Sequence, residues 1–576
     1  MKYSELADVY EKLEATPSKL KKAEIIAEIL KRTPAKLLPD VVLMLSGRVL
    51  PDWSENEMGV ADKTAMKAIA KATGATEKEV EKSFSKIGDL GSLVEELVKK
   101  KSQRTLRSKQ LDVEDVHGNL AKLAEAEGAG SQERRLNLLV ELIARASPKE
   151  ARYIIRSALG QLRIGVAEGI VRDAIASAYK VNVDDVEGAW YLRPHYGEIA
   201  EIAKERGEAG LRKVRLELGT PMMVQLAEKA PSLEEAMKAF KRTALQFKYD
   251  GMRTLVEKKG DKIWLYTRRL ENVTAAFPDV VAAVKKAVKA RDAILDGETL
   301  AMHPKTGKPL PFQRLSQRIK RKYGVEQAVK EIPVELHLFD VVYANGKEFF
   351  DNTLEERSAE LHKIVTPIAG KIRFAEELRT DDLKKAEAFY KKALNEGQEG
   401  LIVKNLDAKY VAGRRVAGGW LKVKPAMENL DLAITGGLWG SGKRAGYIGS
   451  LILGCRDPNT GKFLECGMLG SGLLEKEGEE GTEKITLENL TKMLRPLILS
   501  QKGGVVMIKP KIVIEVAYQE IQKSPTYTSG YALRFPRLVR MRPDKGPEEA
   551  DTKERMETLY AMQKSAGPKE TTEKRH

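Results

Sequence analysis

The apolar residues of this chain change their spacing once, near residue 220, and that change limits the folds open to it. From Met1 to about Leu218 they recur at helical intervals, as in Ala23 to Lys31, Leu136 to Ala146 and Ala167 to Tyr179, with Pro or Gly breaks between. This spacing predicts an all-α domain over residues 1–218. After Pro221 they gather into short β-type runs: Leu245 to Tyr249, Ile263 to Thr267, Val334 to Val342, Gly400 to Val403 and Trp420 to Val423. Helical stretches at Val280 to Lys289 and Leu383 to Leu394 interleave with them, so residues 219–425 are expected to form an α+β antiparallel domain. Beyond about Pro425 come Asp431 to Gly437, Gly449 to Cys455, Phe463 to Met468 and Lys511 to Gln519, separated by Gly-rich turns. They predict a small β-barrel over residues 426–576, followed by a helix from Asp551 to Ser565 and a polar, frayed tail from Gly567. A chain of 576 residues is too long for one core, and the multidomain reading with three units fits it.

Lys and Arg number 99 against 83 Asp and Glu, a formal charge of +16 spread along the chain, which favours a polyanionic partner. No apolar run approaches the roughly 20 residues of a membrane span, and Met1 to Ala15 is a charged helical pattern without the apolar core of a signal peptide. The expected location is the cytoplasm. Cys455 and Cys466 form no CxxC and have no nearby His, so they read as small core residues on neighbouring strands rather than as a zinc site or a disulfide. The six histidines are scattered, and His337 reads as an ordinary strand residue.

The strongest local signal is Lys248-Tyr249-Asp250-Gly251-Met252-Arg253, a KxDGxR sequence at the end of an expected strand. An uncharged lysine amine attacks an α-phosphate and expels pyrophosphate, but an ordinary lysine, with a pKa of about 10.4, is protonated at neutral pH. Nearby cations and a divalent metal favour the neutral amine while neutralising charge that develops on the phosphate. Segments that carry such groups follow: Tyr266-Thr267-Arg268, Asp296-Gly297-Glu298, Phe339-Asp340, Glu399-Gly400-Leu401-Ile402-Val403-Lys404 and Trp420-Leu421-Lys422-Val423-Lys424. Each alone has a bland reading: Arg268 as a solvated charge, Asp296 to Glu298 as a turn, Phe339 as core. Their order and spacing carry the signal.

With these motifs in this order, the chain resembles the ATP-dependent DNA ligases of the covalent nucleotidyltransferase superfamily, closest in layout to the archaeal replicative type. The resemblance spans nearly the whole chain. Leu533-Arg534-Phe535-Pro536-Arg537-Leu538-Val539-Arg540-Met541-Arg542-Pro543-Asp544-Lys545 resembles that family's last motif, RFPRxxRxRxDK. The resemblance implies that Lys248 becomes adenylated from ATP, that Arg253 and Arg268 bind nucleotide or nick phosphate, and that Phe339 stacks on adenine. It makes Glu298 a ligand for ribose or metal and Glu399 a second metal candidate, with Mg²⁺ suited to their hard oxygens. Arg415, Lys422 and Lys424 meet phosphates, and Arg542 and Lys545 orient the departing pyrophosphate.

Two departures stand out. The position two before the nucleophile is usually Glu, where it helps read the adenine amine; here it is Gln246, which offers an acceptor and a donor. Tyr266-Thr267-Arg268-Arg269 replaces the usual SRN but keeps its Arg.

The same resemblance implies a helical DNA-binding domain, a middle adenylation domain and an OB-fold after about Pro425 that swivels on a hinge at Pro425 to Leu430. Ser157-Ala158-Leu159-Gly160-Gln161-Leu162-Arg163-Ile164-Gly165-Val166-Ala167-Glu168 resembles a recurring segment of the helical domain, with a helix amino terminus as a phosphate site. Nicked duplex DNA is the expected partner of a monomer. Related archaeal ligases carry a sliding-clamp motif near Gln103-Arg104-Thr105-Leu106, but the aromatic pair is missing here, and a solvated basic loop is the first reading of that segment. Two rival functions share parts of the pattern: RNA ligation or capping, which the long helical domain and the final motif argue against, and a non-catalytic DNA-binding scaffold.

Overall fold

The computed structural model describes residues 1–565 apart from 57, 103–109, 127, 129, 320, 322–323, 416–417, 426–427, 441–443, 445 and 474–485. The candidate clamp segment, two residues of the expected hinge and the polar tail therefore lie outside the described residues.

Helices run from Tyr3–Ala15 to Tyr196–Leu211, and the three expected ones occur as Lys19–Arg32, Ser131–Arg145 and Glu168–Tyr179. Their starts are chemically marked. Ser147 accepts from the Glu150 N–H, Glu150 reaches back to the Ser147 N–H, and Pro148 occupies the first turn, where its missing N–H costs nothing. Their apolar stripes meet in one core that includes Tyr3, Leu6, Tyr10, Ile26, Leu30 and Ile154. No described helix is long and apolar enough to cross a membrane.

The middle region is two sheets facing a shared cleft. One has five strands in the order Glu228–Lys229, Trp420–Val423, Gly400–Asn405, Thr243–Lys248, Glu377–Arg379. The other is built on Lys262–Thr267, Met252–Lys259, Asp292–Met302 and Val334–Ala344, paired antiparallel in that order. Alternation explains which residues face the cleft. Leu245, Phe247, Leu401, Val403, Leu421 and Val423 turn to one side of the five-stranded sheet and form its core. Gln246, Lys248, Ile402, Lys404, Trp420 and Lys422 turn to the other.

The carboxy-terminal region is also sheet: Phe463–Leu469, Ile448–Arg456, Leu430–Trp439, Val505–Ile508, Ile498–Lys502, with Val513–Ala517 and Arg537–Met541 off that path. Cys455 and Cys466 are free and buried on its adjacent strands. What the described strands show of the expected barrel is a branched sheet, with a single parallel bridge from Ser471 to Arg537 between its two end strands. On one edge, strand Leu430–Trp439 pairs with Val513–Ala517 along its first half and with Val505–Ile508 along its last, so the sheet branches.

The connection from helices to sheets is held at Gly219. Its N–H donates to the Glu257 carboxylate at 2.7 Å, its carbonyl accepts from the Tyr266 hydroxyl at 3.0 Å, and Trp264 packs beside it. Glu257 has no exposed surface, and burial pushes its carboxyl up to about 8 against the lowering effect of the Gly219 N–H. An unfolded glutamate ionises near 4.3, so between about 4.3 and 8 the folded chain keeps a proton that the unfolded chain releases. This contribution to stability is complete below about 4.3 and is lost as pH rises through 8. Glu257→Gln keeps an acceptor for Gly219 and never ionises. Thermal melts are expected to show the variant more stable than the parent at pH 9, with the gap narrowing at pH 5.

Candidate active site

The KxDGxR sequence turns from one sheet into the other. Lys248 ends strand Thr243–Lys248, Met252 opens the next, and Gly251 sits where an added Cβ would lie 2.6 Å from the Thr299 carbonyl oxygen. The turn is held by Asp250, whose carboxylate accepts from the Phe312 N–H at 3.2 Å and whose own N–H donates to Gln398. Lys248 Nζ lies 2.6 Å from Glu399 Oε2, and Lys424 pairs with the same oxygen. The Glu399 N–H donates to the Lys248 carbonyl at 2.8 Å, which sets the two residues opposite each other.

Around Lys248 is a cavity of about 650 Å³ lined by Gln246, Arg253, Arg268, Glu298, Phe339, Glu399 and Lys422 among the expected residues. Arg253 forks onto the fully buried Asp296 at 2.6 and 2.5 Å and donates to the Gln225 carbonyl at 3.1 Å. Its guanidinium also lies 4.9 Å from the centre of the Phe339 ring. The register slips between the pairs Asp296–Asp340 and Gly297–Leu338, which leaves Phe339 as the extra residue of a bulge on the cleft side. Asp296-Gly297-Glu298 is not a turn. It lies within an eleven-residue strand, where Gly297 keeps a Cβ off the His337 carbonyl.

Charge is unbalanced here. Burial and then the neighbouring Arg253 and Arg415 lower Arg268, and burial and then Arg415, Lys248, Lys424 and Arg268 lower Lys422. Burial raises Glu298 to about 7, opposed by Lys248 and Arg253, and among the described residues its carboxylate has no protein donor. Burial acts upward on Glu399 too, but Lys248 and Lys424 hold it below the usual carboxylate range. The arrangement is a lysine amine in a pocket of mutually repelling cations, a repulsion that a polyphosphate would relieve. Two carboxylates supply hard oxygens for Mg²⁺, a cation that keeps several waters and takes its other ligands from phosphate. The donor set fits the metal.

Not every expected residue lines the cavity. Lys424 reaches it only through Glu399, and Arg415, bridged by backbone to Leu226, acts on Arg268 and Lys422 through charge. Arg542 and Lys545 are elsewhere: both pair with Asp431 at 2.7 Å. A separate two-stranded sheet of the carboxy-terminal region, Glu520–Lys523 with Tyr531–Arg534, instead meets the middle region, where Glu520 accepts from Gln313 at 3.1 Å. Sequence reasoning missed Leu226, Ala227, Trp420 and Lys404 as wall residues. Lys404 had a signal, as the last residue of the Glu399 to Lys404 segment. It is buried with Nζ unpartnered, held 4.4 and 4.1 Å from the ring centres of Phe339 and Trp420, and burial lowers it to about 8. Leu226 and Ala227 carried no local signal.

A lysine set among further cations in a cleft between two sheets is an arrangement suited to nucleotidyl transfer, and comparison with known proteins gives the class. Residues 2–176 match the family "DNA ligase N terminus", 222–424 "ATP dependent DNA ligase domain" and 444–545 "ATP dependent DNA ligase C terminal region". The chain is 46% identical over 564 residues to a DNA ligase of Thermococcus onnurineus, covering 98% of each. To a DNA ligase of Nanoarchaeum equitans it is 45% identical over 565 residues, covering 98% of this chain and 99% of the other. A solved chain described as "Pmar-Lig_PreS3" shares the fold at a TM-score of 0.55 and 19% identity, over 93% of this chain and 99% of that one. The chain belongs to the ATP-dependent DNA ligase family.

The Arg253–Asp296 pair is buried enough to matter for stability as well as binding. Arg253→Ala leaves a carboxylate without exposed surface beside an emptied space, and is expected to cost about 3–5 kcal/mol. Adding Asp296→Asn should recover part of that loss in thermal melts, because the stranded charge is gone.

Proposed function

We propose that this ligase seals nicks in duplex DNA by way of an AMP carried on Lys248. The observation that supports this most is the cluster of Lys248, Arg268, Lys422 and Lys424 around one cleft, beside an Arg253 already paired with Asp296 and facing the carboxylates of Glu298 and Glu399. In the first step Lys248 Nζ attacks the α-phosphorus of ATP, forming a P–N bond as pyrophosphate leaves. The 5′-phosphate of the nick then takes the AMP and restores the lysine, and the 3′-hydroxyl displaces AMP to close the strand. All three are in-line displacements at phosphorus, where positioning and charge neutralisation do most of the work.

Glu399 orients the lysine and is the nearest acceptor for its proton, at 2.6 Å. Phe339 and Ile402 flank the base, and Arg268, Lys422 and Arg415 meet the phosphates. Mg²⁺ held by Glu298 and Glu399 would supply further neutralisation of phosphate charge when bound. The carboxy-terminal sheet, of OB-fold type in this reading, carries Arg542 and Lys545; a swivel about Pro425 to Leu430 brings them to the pyrophosphate and takes them away again for DNA. Their pairing with Asp431 holds them outside the cleft in the meantime. Residues 1–218 grip the duplex. The junction at 157–168 supports this, because Gly160, Arg163 and Gly165 all take positive φ just before helix Glu168–Tyr179, and the Arg163 side chain is half exposed.

Intact-protein mass is the direct test. Incubation with ATP and Mg²⁺ is expected to add one AMP to the unaltered chain and none to Lys248→Ala, and nicked duplex should discharge it. A chain that never gains AMP with any nucleotide overturns the reading in favour of a DNA-binding scaffold. Affinity for nicked duplex should fall steeply with salt and barely vary with sequence, as counterion release requires; a salt-independent affinity would count against the phosphate grip.

A further inference from the structure

Gln246 departs from the usual glutamate, and the structure pairs that departure with a second residue. In strand Thr243–Lys248, Gln246 stands opposite Ile402 on one neighbour and Glu377 on the other. Residues opposite each other on antiparallel strands share a face, so Glu377, Gln246 and Ile402 form a row across the cleft side of the sheet. Gln246 Nε2 donates to Glu377 Oε2 at 2.7 Å. The other Glu377 oxygen accepts from Arg379 Nε, also at 2.7 Å. Gln246 is only 5% exposed, and that small surface lines the cavity together with Phe339, Ile402 and Leu226.

The chemistry of the pair fixes the orientation of the amide. An ionised carboxylate only accepts hydrogen bonds, so it can bond only the NH₂ end of Gln246. With that end committed, the carbonyl Oε1 is the end left for the cavity, and among the described residues no donor takes it up. A purine beside Phe339 therefore meets an acceptor. Adenine offers an amine at its sixth position and satisfies it. Guanine offers a carbonyl there and faces it with like polarity, leaving two buried acceptors unpaired. Without Glu377 the amide could turn over, and its NH₂ end would serve guanine.

We propose that Glu377 is a positioning residue for nucleotide choice: by holding the Gln246 amide it restores, in two residues, the acceptor that a glutamate would supply alone. This inference rests on the reading of the cavity as the base site, and the test separates the two. Lysine loading is measured as kcat/KM for ATP and for GTP, by intact mass, in the unaltered chain, in Glu377→Ala and in the exchange variant Gln246→Glu with Glu377→Gln. In the exchange variant the carboxylate at 246 needs no orienting and accepts from the new amide. Glu377→Ala is expected to narrow the ATP-to-GTP ratio about tenfold or more, and the exchange to restore it, whereas a general folding defect would lower both nucleotides together and leave the ratio alone. An unchanged ratio in Glu377→Ala overturns the inference, as does an exchange variant no more selective than Glu377→Ala. Failure of the unaltered chain to load any nucleotide overturns the base-site reading, and this inference with it.

Discussion

The carboxylate of Asp296, with no exposed surface, is the joint on which the cleft is built. It accepts twice from Arg253 in its own sheet and once, at 3.0 Å, from the Tyr410 hydroxyl in the loop that follows strand Gly400–Asn405 of the other sheet. Tyr410 in turn accepts from the Gln225 N–H, while Gln225 accepts from Arg253 through its backbone and from the Val411 N–H through its side chain. One buried charge thus ties two sheets and the segment that enters them into a single hydrogen-bonded unit. Removing such a charge with its partners is cheap, but removing one member alone is not, and that asymmetry makes the unit all-or-none. Leu226 and Ala227 line the cavity because they directly follow Gln225 in this network.

Above that joint the cleft is poorly balanced on its own. Arg253 is satisfied, but Arg268 has no ion pair among the described residues, Lys422 is lowered by burial and four cations, and Lys404 lies between two rings without a hydrogen bond. The structure tolerates this because Glu399 is shared between Lys248 and Lys424 and offsets part of their charge, and because aromatic faces take part of the remaining field. A phosphate-bearing ligand supplies what is missing, so binding and chemistry draw on the same stored imbalance. Arg542 and Lys545 do not add to it in this arrangement, being neutralised by Asp431. The fold keeps the cations of the cleft apart from the Arg542 and Lys545 pair.

Much of this was legible in the sequence where the signal is local. Helical spacing marks the first region because each helix buries a stripe of its own residues, and KxDGxR marks a strand end because its Gly admits a close backbone contact. Asp296-Gly297-Glu298 misleads for the same reason: Asp-Gly is turn chemistry in isolation, and only the His337 carbonyl pressing on Gly297 shows why a strand needs that glycine. Phe339 was named from the family pattern, but its aim comes from a bulge, a matter of register between two strands that composition does not encode. The branching of the carboxy-terminal sheet comes from two strands sharing one edge of Leu430–Trp439, a choice of partner invisible in runs of apolar residues that suit a barrel equally well. Lys404 stood in a named segment and was passed over, since nothing local says that a strand lysine will be enclosed by Phe339 and Trp420.

Gln246 shows how a local change can be read only with its distant partner. A glutamate at 246 is an acceptor in either orientation, but here it would stand opposite Glu377 on a paired strand, and like charges directly opposite destabilise the pair. Glutamine removes that repulsion and gains a hydrogen bond to a charged group, at the cost of an amide whose two ends differ and must be oriented. Glu377 can do the orienting only while its carboxylate is held in register, and Arg379 two residues on contributes to that by bonding its second oxygen. The substitution at 246 and the carboxylate at 377 are therefore one device, joined across 131 residues of chain by the pairing of two strands.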